Sequence, residues 1–301
     1  MDTEDESLSL DNILPDIIKM VMTFLTDTEF TVLLHVSLKW RATMLLMVPT
    51  MSINYITSKK KFMISVAQKG YFGLVQWAKE NNCPWNKDVG ASAAEGGYLE
   101  ILIWLKENGC ELDVMTSNNA ALHGHLKIVQ WAYQNGCLLN EDTCSLAALN
   151  GHLDILKWAK SNDIPWDEST CSRAAFDGHL DVLMWARENQ CPWNASTCYR
   201  AAQGGHFDVL IWARQNGCDW DELTTRFAAL NGRLDILKWA HENGCPIGKS
   251  TADSAAKGGH LEILQWLKSK QCPIKQSAIQ YAVQGNHSET LEWLFMNGCL
   301  D

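Results

Sequence analysis

The sequence predicts an all-α helical solenoid of about nine 27-residue helix-turn-helix repeats, from about Phe62 to the end. Three ladders predict it. Tryptophan recurs every 27 residues at Trp77, Trp104, Trp131, Trp158, Trp185, Trp212, Trp239, Trp266 and Trp293. Cysteine keeps the same step at Cys83, Cys110, Cys137, Cys191, Cys218, Cys245, Cys272 and Cys299, with Ile164 filling its one gap. Glycine keeps it from Gly70 through Gly97, Gly124, Gly151, Gly178, Gly205 and Gly232 to Gly259, where Asn286 ends the series. Three ladders in one register are the mark of a repeat array, in which each unit buries its apolar face only against its neighbours.

One unit shows how each element arises. Ser169 can accept a hydrogen bond from a free N–H of the first turn, and is the expected N-cap of a first helix. Ala174 and Ala175 are strong helix formers and small enough for close helix contact. Gly178 stops that helix, as glycine does one residue past a helix end. A second helix is expected from about His179 to Asn189. Leu180, Val182, Leu183, Trp185 and Ala186 recur on it at helical spacing and form its buried stripe. Asp181 in its first turn and Arg187 near its end both suit the helix dipole. Pro192 then blocks continuation.

The unit resembles the ankyrin repeat residue by residue. Ala147 to Trp158 reads Ala-Ala-x-x-Gly-His-Leu-Asp-Ile-Leu-Lys-Trp, close to the family's Ala-Ala-x-x-Gly-His-Leu-Glu-Ile-Val. Asn216, Gly217 and Cys218 stand where the family has Asn-Gly-Ala, and Asp219 to Asp221 where it has Asp-Val-Asn. The usual unit has about 33 residues. The shortfall lies between the Pro-Trp-Asp and Thr-Cys positions, where the family builds its projecting β-hairpin. The fingers are therefore expected to be reduced or absent. The family's Thr-Pro-Leu-His is replaced by Thr170-Cys171-Ser172 and its equivalents.

In ankyrin proteins the two residues after Ala-Ala point into a concave groove. Here these positions vary while their neighbours repeat, and the middle units place Leu149, Phe176 and Leu230 in the row. Arg173, Tyr199, Arg200, Arg226 and Phe227 lie just before the Ala-Ala pairs on the same helices. Aromatic and arginine side chains are favoured interface anchors. These eight residues form the expected partner-binding groove.

Residues 1–61 lack the repeat. Leu14-Pro15 opens an amphipathic helix with Ile17, Ile18, Val21, Phe24 and Leu25. A polar turn and a second apolar stretch follow, ending in Val36-Ser37-Leu38-Lys39-Trp40-Arg41. This resembles an F-box, which opens with Leu-Pro and closes with Val-Ser/Cys-x-x-Trp-Arg. The resemblance implies binding to the Skp1 adaptor of cullin-RING ubiquitin ligases through Leu14, Pro15, Ile18, Leu25, Val36 and Trp40. The expected domains are residues 1–50, an F-box-like helical segment; 51–61, a connector; and 62–301, the ankyrin-type repeats. F-box and ankyrin combinations of this kind resemble proteins of large DNA viruses and protists, which implies redirection of host ubiquitination. The other reading of residues 1–61 is a helical cap on the first repeat.

Composition bounds the function. The net charge of −10 argues against nucleic-acid binding, which needs a basic face. The acidic start from Met1 to Glu6 is unlike a signal peptide, and no apolar run approaches the roughly 20 residues that span a bilayer. The 11 cysteines read as free thiols in a reducing compartment, so the expected location is intracellular, cytoplasmic or nuclear, in a host cell if the chain is viral. Equivalent residues of adjacent repeats should stand about 8–10 Å apart, whereas zinc ligands sit about 2.3 Å from one ion. The cysteines are thus expected to be small buried apolar residues, and no cofactor is expected. Turn histidines alternate with Tyr98 and Arg233, so imidazole chemistry is not required of them. The tryptophan ladder is expected to be core.

These observations predict a substrate adaptor without enzymatic activity, holding a client in the groove and docking on Skp1. A ligase-independent scaffold that sequesters a partner is the alternative. A thiol- or metal-dependent enzyme is a third class, against which the lattice of cysteines argues.

Overall fold

The computed structural model describes residues 55–80 and 83–297, and every regular element among them is an α-helix. The expectations of an all-α fold and of missing β-hairpin fingers both hold for these residues. The chain divides into two compact units, Met1–Leu112 and Asp113–Asp301.

In the first unit, α1 (Tyr55–Gln68), α2 (Phe72–Glu80), α3 (Lys87–Glu95) and α4 (Leu99–Glu107) make two helical hairpins, with α1 packed on α3. Helix α1 begins inside the stretch read as a connector. Lys59, Lys60 and Lys61 are good helix formers, and they lead without a break into the buried Met63, Val66 and Ala67.

The second unit stacks seven hairpins. They are α5 (Val114–Leu122) with α6 (Leu126–Gln134), α7 (Glu141–Leu149) with α8 (Leu153–Ser161), α9 (Glu168–Phe176) with α10 (Leu180–Glu188), and α11 (Ala195–Gly204) with α12 (Phe207–Gln215). Then come α13 (Glu222–Leu230) with α14 (Leu234–Glu242), α15 (Thr251–Gly258) with α16 (Leu261–Ser269), and α17 (Ser277–Gln284) with α18 (Ser288–Met296). The odd-numbered, inner helices pack side by side along this stack, while the outer helices chiefly contact their own partner. The Ala-Ala pair permits that closeness. Ala174, Ala175, Ala201, Ala202, Ala228 and Ala229 are all fully buried.

Local boundaries follow capping chemistry. The N-cap of α9 is Asp167, whose carboxylate accepts from the Ser169 N–H at 2.9 Å. Ser169 therefore lies inside the helix rather than capping it. The acidic side chain wins because it is a charged acceptor at the positive end of the helix dipole. Asp113 and Asp221 do the same immediately before their own helices. Outer helices end on an asparagine whose side-chain amide donates to a tryptophan carbonyl one turn back, as Asn189 does to Trp185 and Asn216 to Trp212, each at 2.9 Å.

Within the second unit, the turn residue that follows the ladder position works between repeats. The His152 ring lies against Gly124 of the preceding repeat, and its Nε2 reaches the Leu122 carbonyl oxygen at 3.1 Å. His260 reaches Leu230 at 3.1 Å and His287 reaches Lys257 at 3.0 Å. Arg233 donates to Gly204 at 3.3 Å in the same place. A planar group that can donate to the last carbonyls of the neighbouring inner helix is what this position selects, so imidazole and guanidinium interchange.

Gly178 bears on this directly. Its φ is 81°, the His179 N–H closes the helix end on the Ala174 carbonyl at 2.9 Å, and an added Cβ would stand 2.4 Å from His206 Nδ1. Gly178→Ala is expected to be destabilised by the roughly 1–2 kcal/mol of left-handed strain that a Cβ brings and further by displacement of the His206 ring. Gly217→Ala, at the same φ of 81° but with nothing within 4 Å of its Cβ, should be destabilised by the strain alone. Urea unfolding of the two variants checks this, and equal losses would refute the role given to the ring.

Candidate protein-binding groove

The inner helices sort their side chains by face. On α9, Thr170, Cys171, Ala174 and Ala175 are buried, while Arg173 and Phe176 remain half-buried on the face turned from the outer helix. The same division holds on α11 for Tyr199 and Arg200, and on α13 for Phe227 and Leu230. Arg226 is exposed, and Leu149 on α7 is half-buried.

The structure brings four of the eight expected groove residues into one cluster. The Tyr199 and Phe227 rings stack across α11 and α13, with centroids 5.3 Å apart and an interplanar angle of 26°. The Arg200 guanidinium lies 5.6 Å from the Phe176 ring and 5.7 Å from the Tyr199 ring, and donates to Gln203 Oε1 at 2.9 Å. The other four are arranged differently. Arg173 pairs with Asp142 at 3.7 Å, so its charge is met within the unit. Arg226 donates from Nε to Ser254 Oγ at 3.4 Å. Leu149 and Leu230 share the row position of Phe176 on α7 and α13. The sequence reading missed Asp142 and Ser254. Asp142 precedes Arg173 by one repeat plus four residues, a cross-repeat version of the one-turn charge pair, and that spacing could have found it.

The tryptophans differ from expectation. The ladder residues Trp104, Trp131, Trp158, Trp185, Trp212, Trp239, Trp266 and Trp293 are half-buried rather than core. Four of them, Trp104, Trp185, Trp212 and Trp239, meet a loop tryptophan of the preceding repeat, while Trp158 meets Tyr133 and Trp266 meets His241. Trp166 meets Trp185 edge-on at 5.8 Å, Trp193 meets Trp212 at 5.9 Å, and Trp220 meets Trp239 at 5.7 Å. Arg187 and Arg214 lie 4.2 Å from the Trp193 and Trp220 rings and donate to the Cys191 and Cys218 carbonyls. Within the first unit, Lys79, Trp85 and Trp104 repeat the arrangement. Edge-to-face contacts thus join successive repeats, and cation–π contacts hold the loop indoles that make them.

The cysteines are buried except Cys272, which is partly exposed, among the described residues. Cys191, Cys218 and Cys245 donate to the Asp167, Asn194 and Asp221 carbonyls of the preceding loop at 3.4, 3.3 and 3.2 Å. Burial pushes Cys144 and Cys245 up to about 12 and Cys110 up to about 11. Protonated, buried thiols of this kind are poor nucleophiles and poor metal ligands at neutral pH. Among the described residues, no group of three or more His, Cys, Asp or Glu side chains could hold a metal ion. No described helix is long and apolar enough to cross a membrane. The F-box-like positions Leu14, Pro15, Ile18, Leu25, Val36 and Trp40 lie outside the described residues.

Residues 225–300 match the family model for ankyrin repeats, in three copies. These residues are ankyrin repeats. The 27-residue register of that segment runs unbroken through the preceding repeats, and the described hairpins keep the ankyrin-type fold throughout. Among solved structures, the human ASB11 ankyrin repeat domain is similar, at 17% sequence identity and a TM-score of 0.45, over 59% of this chain and 96% of that chain. No curated protein matches the chain. Ankyrin repeats form a protein-interaction domain.

Proposed function

We propose that the chain is a substrate adaptor with no active site of its own. The inner-helix face around Phe176, Tyr199, Arg200 and Phe227 holds a client protein, and the N-terminal segment binds Skp1 so that the client is ubiquitinated. The observation that carries the client-binding half is the concentration of aromatic and arginine side chains on one accessible face, above an inner-helix core of alanine, threonine and cysteine. The adaptor half is supported by the sequence alone, through Leu14-Pro15 and the closing Val36-Ser37-Leu38-Lys39-Trp40-Arg41. The proposed location is the cytoplasm or nucleus, where free buried thiols persist and the ligase machinery operates.

A pull-down with purified Skp1 tests the adaptor half. Wild type is expected to be captured, and Leu14→Ala/Pro15→Ala to lose capture by at least tenfold with unchanged helical content. Absence of capture by folded wild type would reduce residues 1–50 to a cap on the repeats. The chain would then be a ligase-independent scaffold that sequesters its partner.

A further inference from the structure

We propose that the partner segment is acidic and aromatic, with carboxylates flanking an aromatic or large apolar side chain, and that Arg200 and Arg226 read its charge. This rests on the inner-helix face being the partner-binding face.

The argument starts from where the arginines of an acidic chain are placed. The chain carries a net charge of −10. Arg187, Arg214 and Arg233 are engaged at junctions between repeats, over indole rings or on a neighbouring carbonyl. Arg173 faces Asp142. Arg200 and Arg226 are different. Their polar partners are neutral, Gln203 and Ser254, and among the described residues neither has a carboxylate within ion-pair distance. Both guanidiniums therefore keep a full uncompensated charge on one face.

Adjacent to these two positions in sequence, on the same two helices α11 and α13, stands the Tyr199–Phe227 pair, its rings 5.3 Å apart, with the Phe176 ring 5.6 Å from the Arg200 guanidinium. Half-buried stacked rings are rigid apolar anchors. A guanidinium binds a carboxylate through two parallel hydrogen bonds, and does so more strongly where aromatic surface reduces its hydration. An apolar platform edged by two unpaired guanidiniums complements a side chain of aromatic type with acids beside it. Nucleic acid would supply rings and negative charge too, but its continuous phosphate backbone would meet the acidic remainder of the chain. A protein segment brings the negative charge only where the two arginines stand.

Fluorescence polarisation on the full chain tests this. The probes are fluorescein-labelled Gly-Ser-X-Z-X-Ser-Gly pools, where Z is Phe, Tyr, Trp or Leu and X is Glu, Gln or Lys. The Glu pool is expected to bind at least tenfold tighter than the Gln pool, the Lys pool not to bind, and the preference to shrink as salt is raised. R200Q/R226Q, which keeps length and helix propensity, should bring the Glu pool to the affinity of the Gln pool. Y199A/F227A should weaken both, and thermal melts would confirm that both variants fold. Equal binding of Glu and Gln pools, lost in Y199A/F227A, would overturn the charge proposal and leave the groove reading standing. A Glu preference that survives R200Q/R226Q, or no binding by any pool, would also overturn it. Client capture by the whole groove would then remain a separate measurement.

Discussion

Replacing Leu210 with alanine is expected to lower the free energy of unfolding by about 3–5 kcal/mol, the range for a fully enclosed leucine whose cavity cannot collapse. Leu210 lies on α12 with no exposed surface, and its equivalents Leu183 and Leu237 on the flanking outer helices are equally enclosed. Each leucine thus seals both its own hairpin and the seam to the next. In a stack where repeats contact only their neighbours, such a lesion weakens an interface term as well as a repeat term. The equivalent residue in the last described hairpin, Leu291, is only half-buried, so Leu291→Ala should lose roughly half as much or less, since transfer free energy follows the area buried. Urea unfolding followed by circular dichroism checks both. The Leu210→Ala transition should also broaden, as the repeats on either side of the lesion begin to unfold separately. Equal losses from the two substitutions would contradict the seam role.

Alkaline pH is expected to destabilise the fold more steeply than its tyrosines and lysines account for. In the unfolded chain the thiols ionise near their ordinary value of 9.0. Burial raises Cys144 and Cys245 to about 12 and Cys110 to about 11 in the folded state. Below pH 9 both states hold the thiol proton, and stability does not depend on it. Above pH 9 the unfolded chain releases the proton and the folded chain does not, so each such thiol lowers stability by about 1.4 kcal/mol per pH unit. The loss runs from about pH 9 until the folded thiols ionise in turn. Urea midpoints from pH 7 to 10.5 measure it. Cys144→Ala/Cys245→Ala should be less stable at pH 7 but show a shallower alkaline slope. Parallel slopes would mean that these thiols are not desolvated as their burial indicates.

Much of the fold is legible in the sequence because its determinants are local. The glycine ladder marks inner-helix ends since left-handed backbone is needed there, and Gly178 adopts it. The apolar stripe of Val182, Leu183 and Ala186 is buried as its spacing requires. The short repeat length leaves no room for a hairpin, and the described loops contain none. The Asp167 cap was misplaced by two residues, because serine and aspartate compete for the same N–H and charge decides between them.

The groove was legible only as a row. Helical spacing puts Phe176, Tyr199, Arg200 and Phe227 on one face, but does not say which rings meet or which arginines are left unpaired. Those outcomes depend on residues of other repeats. Asp142 neutralises Arg173 from α7, and Phe227 on α13 stacks on Tyr199 of α11. The tryptophan ladder makes the same point. Its period is written in the chain, yet the ring it meets, a loop indole of the preceding repeat at Trp212 and Tyr133 at Trp158, depends on the neighbouring unit.

The sequence by itself determined the repeat, the helix pairs, their turns and the absence of fingers, because each follows from contacts within one turn or one hairpin. The tertiary structure alone decided the junction chemistry and the charge of the binding face. Histidine over a neighbour's glycine, arginine over indole, and the pairing of Arg173 but not of Arg200 or Arg226 arise only when one repeat is laid against the next.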